Sequence, residues 1–166
     1  MLDLNATAIA AHVLYQEGLL LDRRDWSAWL DLYAAQAVYW VPAWRDEHAE
    51  TTDPACEVSL IYHDSRVGLE ERVMRVRSRQ SVTAMPLPRT THFASNIVGV
   101  ARGDDCVEAQ ASWLVHVYDP RTAGEKTYCG RYEITLGLQA AQWQITHKKI
   151  HLQNDCVAAV LDFYML

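Results

Sequence analysis

From Val107 onward the chain alternates. Val107, Ala109, Ala111, Trp113, Val115 and Val117 are apolar, while Glu108, Gln110, Ser112, His116 and Tyr118 between them carry polar groups. Period two with one apolar side predicts a strand that buries one face. After the turn from Asp119 to Gly124 the alternation resumes. Tyr128, Tyr132, Ile134, Leu136 and Leu138 fall on one side, Thr127, Arg131, Glu133 and Thr135 on the other. A third run carries Trp143, Ile145 and His147 in phase, then shifts so that Ile150 and Leu152 continue the apolar set. That shift predicts a β-bulge at Lys148-Lys149. Strands this long must bury their apolar face against a cover. The chain before Asp105 reads mainly as helices, so the pattern predicts an α+β fold in which an antiparallel meander curls over N-terminal helices.

In the first half, Ile9, Val13, Leu20 and Ala10, Leu14, Leu21 form an apolar stripe at helical spacing, with Asn5 or Thr7 as cap. Asp25 is placed to cap a short second helix holding Trp26, Trp29, Leu30 and Tyr33. Residues Ala37 to Val41 read as a strand stopped by Pro42. The polar stretch from Trp44 to Pro54 reads as an exposed loop and Glu57 to His63 as a second strand. Asp64 or Ser65 then caps a helix with Leu69, Val73 and Val76 inward and Glu71 four residues before Arg75 outward. Its polar face is dense in arginine, Arg66, Arg72, Arg75, Arg77 and Arg79, and reads either as a solvated face with internal ion pairs or as a docking surface. Residues Met85 to Arg89 read as irregular, and Thr91 to Ala101 as a further strand. No linker or repeat divides residues 1–166, which are expected to form one domain.

Composition narrows the classes. At 166 residues the chain can bury roughly two-thirds of its unfolded surface, enough for a core without staples. A net charge of -6 with no basic block argues against nucleic acid or an acidic membrane as partner. Cys56, Cys106, Cys129 and Cys156 stand alone, with no C-x-x-C spacing, which fits free thiols in a reducing cytoplasm. No leader pattern opens the chain, and no apolar run approaches the roughly 20 residues of a membrane span. Six Trp and eight Tyr are generous for a small domain: any single Trp reads first as core, with some aromatics left for a partner surface.

Candidate chemistry is sparse. His147 and His151 are four apart, which on a strand separates them by about 13 Å, too far for one metal. No G-x-G loop and no G-x-S-x-G elbow occurs. One constellation remains: Asp25, His92, His116 and Tyr132 pointing into a cone-shaped pocket as acid and base groups of a dehydratase or isomerase. Against it, His116 lies on the polar face of its strand and Asp25 reads as a helix cap.

Five pieces of sequence occur in a telling order. They are Leu21-Asp22-Arg23-Arg24-Asp25-Trp26 leading to Tyr39-Trp40-Val41-Pro42; Ser59 to Arg66 with Leu69 and Arg72; Arg89-Thr90-Thr91-His92 with Ser95-Asn96; Gly130-Arg131-Tyr132-Glu133; and Lys148-Lys149-Ile150. Together they resemble the small (β) subunit of Rieske-type aromatic-ring-hydroxylating dioxygenases, in flavour those acting on benzoate, anthranilate or related acids. The resemblance implies a cone-shaped, strongly curved antiparallel or mixed sheet covered by N-terminal helices, of the nuclear-transport-factor-2-like or scytalone-dehydratase-like kind. It also implies self-association as a trimer and a hetero-hexamer with a large (α) subunit that holds the Rieske iron-sulfur cluster and the mononuclear iron. No cofactor, metal or catalytic residue is then expected in this chain. The cysteines agree, since none sits in the C-x-H or C-x-x-H pairs that a Rieske centre needs. Three readings follow: a structural dioxygenase subunit, a stand-alone cone-pocket enzyme, and a ligand- or protein-binding module. The first expects contacts to the large subunit from the Arg66 to Arg79 segment and the Trp44 to Pro54 loop, weakened by Arg72→Glu or Arg75→Glu.

Overall fold

The computed structural model describes residues 3–78, 85–155, 157 and 161–166; Arg79 and Cys156 lie outside the described residues. Helix α1 spans Leu4–Arg23 and buries Ala6, Ala10, Val13, Leu14, Glu17 and Leu21 along one stripe. Its cap is Asp3 instead of Asn5 or Thr7: the Asp3 carboxylate accepts from Ala6 N at 3.0 Å. Arg24 ends it in the left-handed conformation, with φ of 59°. Helix α2, Trp26–Asp31, is capped by Asp25 as expected and buries Trp26 and Trp29.

Tyr33 does not close that helix. It opens strand β1, Tyr33–Pro42, four residues earlier than the sequence pattern predicts. The reason is a distant one, because Tyr33 pairs with Ile145, and Val38 with His147, in a parallel ladder that no local signal announces. Strand β2 follows at Ser59–His63. Helix α3, Arg66–Arg77, buries Leu69, Val73 and Val76 as its spacing requires. Ser65 precedes it without a side-chain capping bond. The two strands expected between the helices of the first half are both present, β1 reaching further toward its N-terminus.

Strands β3 (Arg89–Ala101), β4 (Cys106–Asp119), β5 (Gly124–Gln139) and β6 (Gln142–Leu152) form the meander. The sheet has six strands in the order β2-β1-β6-β5-β4-β3, antiparallel throughout except for β1 beside β6. The inward positions of β4 are the predicted ones, Val107 through Val117 at odd numbers, all buried. In β5, Tyr128, Tyr132, Ile134 and Leu136 are buried, whereas Leu138 at the strand end is 40% exposed. The bulge in β6 lies earlier than Lys148-Lys149. Thr135 pairs with His147 and Leu136 with Ile145, which leaves Thr146 as the extra residue. The phase therefore turns before His147, and Lys148 points inward at 1% exposure.

The curved, unclosed sheet wraps α1, and α1 lies chiefly on β3. Three outward N–H groups of β3 donate to α1 or its cap: Ala101 N to Asp3 Oδ2 (3.1 Å), Gly99 N to Thr7 Oγ1 (3.0 Å) and His92 N to Asp22 Oδ2 (3.0 Å). The approach is close enough that a Cβ on Gly99 would stand 2.6 Å from the Ala6 backbone. The C-terminal turn, Phe163–Met165, wedges beneath α2. The Phe163 ring stacks on Trp29 with centroids 4.7 Å apart and meets Trp26 edge-on at 5.3 Å.

Candidate functional site

Two regions carry polar or uncovered groups beyond what packing needs: the interior of the cone and its outer faces. Inside, α1 delivers Glu17 from the middle of its apolar stripe, 2% exposed. Glu17 accepts a hydrogen bond from the Tyr33 hydroxyl and another from Lys148 Nζ, the latter at 2.7 Å. Lys148 Nζ also sits 4.1 Å from the centroid of the Tyr132 ring, and Tyr132 stacks on Trp113 at 5.3 Å. Burial lowers the pKa of Lys148 and the charge of Glu17 opposes that shift. Burial, reinforced by the Glu17 charge, pushes the hydroxyls of Tyr33 and Tyr132 well above their ordinary range. A buried ion pair of this kind orders the interior but offers no free acid or base.

Beside it lies a cavity of about 260 Å³ between α1 and β3, with Glu17, Asp22, His92 and Tyr132 among its lining residues. His92 Nδ1 is 2.6 Å from Asp22 Oδ1, and Thr90 Oγ1 donates to the same oxygen at 2.9 Å. Burial pushes the Asp22 carboxyl up, yet the hydrogen bonds from His92 and Thr90 outweigh it and leave the pKa below the usual value. His92 Nε2 is buried without a partner.

The proposed acid-base quartet is therefore only half assembled. His92 and Tyr132 reach the cavity. Asp25 instead caps α2, accepting from Ala28 N at 3.3 Å, and the partner of His92 is Asp22, three residues earlier. His116 lies on the outer face, its side chain 42% exposed and 4.0 Å from Glu125. Glu17 and Lys148 were missed because charged residues read as surface by default. Their signal was positional: Glu17 occupies a slot of the helical stripe, and Lys148 stands two residues before the inward Ile150.

The two histidines of β6 face different hollows, His147 a groove with Val98 and Gln110, His151 one with Trp44 and Arg131. His151 Nδ1 is 2.5 Å from Glu50 Oε2; its Nε2 is 3.1 Å from Glu133 Oε1 but not aligned for a hydrogen bond. Among the described residues no group of three or more His, Cys, Asp or Glu side chains could hold a metal ion. Cys56, Cys106 and Cys129 are free thiols, and no described helix is long and apolar enough to cross a membrane.

On the outside, the arginine face of α3 is largely spent within the chain. Arg72 donates to His63 Nε2 at 2.8 Å and to Asp162 at 3.0 Å; Arg66 binds Glu70 and Tyr33 O; Arg77 binds Ser27. Arg75 is exposed. The segment from Trp44 to Pro54 is only partly exposed, since Trp44 Nε1 donates to Leu152 O at 2.8 Å and Thr51 is buried. Uncovered apolar side chains are spread over several elements, and two groups of them stand on strands. Val58 (74% exposed), Leu60 (40%) and Tyr62 (41%) project from β2 and its approach. Phe93 and Leu114, paired in register on the convex face, are 56% and 37% exposed.

These features define a cone-shaped α+β protein with a charged, aromatic interior and apolar borders. A family model described as the ring hydroxylating beta subunit matches residues 16–159. The 2-halobenzoate 1,2-dioxygenase small subunit of Burkholderia cepacia is 38% identical over 151 residues, covering 91% of this chain and 90% of the relative. The crystal structure of the benzoate 1,2-dioxygenase β subunit from Burkholderia mallei superimposes with a TM-score of 0.80 at 31% identity, covering 100% and 99% of the two chains. A putative scytalone dehydratase from Novosphingobium aromaticivorans shares the fold, with a TM-score of 0.67 at 12% identity and 92% and 89% coverage. The chain belongs to the β-subunit family of ring-hydroxylating dioxygenases.

Proposed function

We propose that this chain is the structural subunit of an aromatic-ring-hydroxylating dioxygenase for benzoate-type acids, working in the cytoplasm. It holds large subunits in a hetero-hexamer with threefold symmetry. The large subunits carry the Rieske cluster and the mononuclear iron and select the aromatic acid, while this chain contributes no catalytic residue. The observation that carries the reading is the match along nearly the whole chain to a protein that is itself a small subunit of a benzoate-class dioxygenase. The borders support it. A cyclic assembly needs two different surfaces on each protomer, and the β2 border and the Phe93–Leu114 face are such a pair. Obligate interfaces bury more than about 2,000 Å² and are rich in apolar side chains.

Co-expression with the large-subunit reading frame tests the proposal. The two chains are expected to co-elute, with ring hydroxylation needing both. Leu60→Asp and Tyr62→Asp are each expected to weaken co-elution by about tenfold or more, the cost of a charge in an apolar contact. A native chain that elutes alone, or a chain that hydroxylates an aromatic acid unaided, overturns the subunit reading; unchanged co-elution of both variants overturns the β2 surface.

A further inference from the structure

The cavity between α1 and β3 contains a polar group that the scaffold role does not use. The His92 side chain is 6% exposed, its Nδ1 is committed to Asp22, and its Nε2 is buried without a partner. Buried polar atoms are nearly always satisfied, so an orphan nitrogen in a cavity wall marks a place where a further molecule fits. The tautomer follows from the neighbour. With the ring neutral, the Nδ1 proton sits on the bond to Asp22, and Nε2 carries the lone pair and accepts.

The rest of the wall sets the ligand's other properties. Leu14, Leu21, Ala94 and Tyr132 present apolar surface. The volume of about 260 Å³ exceeds the roughly 150 Å³ of an engineered apolar cavity that binds benzene. The wall holds Asp22 and the Glu17 carboxylate already taken by Lys148, so a benzoate-like anion finds no unpaired cation among its lining residues. Tyr15 and Leu19, exposed at 54% and 51%, flank the way in from α1.

We propose that this cavity binds a neutral single-ring hydroxyaromatic molecule of the phenol class, its hydroxyl donating to His92 Nε2 and its ring lying against Leu14, Leu21 and Tyr132. The proposal rests on the cavity and does not use the assembly, although Phe93, which lines the cavity, also belongs to the proposed docking face.

The test is a titration of the full chain, labelled with ¹⁵N at histidine, with phenol, toluene and benzoate. Phenol is expected to shift the His92 Nε2 resonance with a dissociation constant on the order of 1 mM, as suits a ligand of so few atoms. Toluene should bind about tenfold more weakly, the difference one hydrogen bond makes, and benzoate more weakly than phenol. In His92→Leu the preference for phenol over toluene should vanish while toluene still binds. The proposal is overturned if phenol leaves the His92 nitrogen unmoved, if benzoate binds best, or if the variant keeps the preference. The measurement on the native chain decides the matter even if the variant fails to fold.

Discussion

Two adjacent alanines show how much a single position can hold back. Ala140 and Ala141 turn the chain between β5 and β6 with φ of 48° and 64°, in the left-handed region where an L side chain is strained. The two-residue hairpin demands positive φ at both positions, which Asn-Gly satisfies and Ala-Ala does not. Ala141→Gly is therefore expected to stabilise the protein by about 0.5–1 kcal/mol, strain relief exceeding the added freedom of the unfolded chain, as read by urea unfolding. Glu17 and Lys148 respond in the opposite sense. Lys148→Met leaves the Glu17 carboxylate buried without its cation and should cost about 3–5 kcal/mol, while adding Glu17→Leu should recover much of it. A cycle of the two single variants and the double variant, measured by chemical unfolding, gives the coupling. Neither residue was singled out as interior from the sequence, because a charged side chain adds nothing to an apolar pattern. The stripe and the strand phase held the information, and the Lys148 side chain disguised the bulge by making the register turn look later than it is.

Helix α3 illustrates what element-level patterns reveal and conceal. Its inward residues Leu69, Val73 and Val76 followed directly from their spacing, as did the buried face of β4. The parallel pairing of β1 with β6 and the wedge formed by Phe163 and Leu166 did not. The first depends on residues more than a hundred positions apart, and the second is an apolar stretch too short to show a period. The fate of the Arg72 side chain was equally hidden, since periodicity places a residue on a face without saying what lies above it. Arg72 spans from α3 to His63 of β2 and to Asp162 near the C-terminus. Burial, and then the Arg72 charge, lowers the pKa of His63 from its ordinary 6.5. The unfolded chain thus takes up the proton more readily. Stability carried by neutral His63 is present above pH 6.5 and is lost as pH falls through the lowered folded value. His147, lowered by burial and by Lys149, acts in the same direction. The unfolding midpoint is expected to drop between about pH 7 and pH 5, and His63→Gln should make that drop shallower. Asp22 loses its contribution only at lower pH, as it protonates below 3.8.

For the molecule as a whole, surface and interior make separable demands. Arg72→Glu places like charges beside Asp162 and should destabilise the isolated chain by about 1–3 kcal/mol, whereas Arg75→Glu should leave its melting unchanged. A loss of co-elution in the first variant would therefore report folding and in the second an interface, provided melting and co-elution are measured on the same preparations. The fold class and the curved sheet were readable from alternation and helical stripes. The proposed docking surface was not, because exposed apolar residues such as Leu60 and Tyr62 look in sequence like any others in a strand. The three bonds from β3 to Asp3, Thr7 and Asp22 matter beyond the monomer. They occupy three donors along one margin of the sheet and so interrupt the row a stranger's backbone would pair with, while β2 at the far margin has no such trim among the described residues. Two copies meeting β2 to β2 would leave only such interrupted margins facing the solution, which disfavours growth into a fibril beyond the pair.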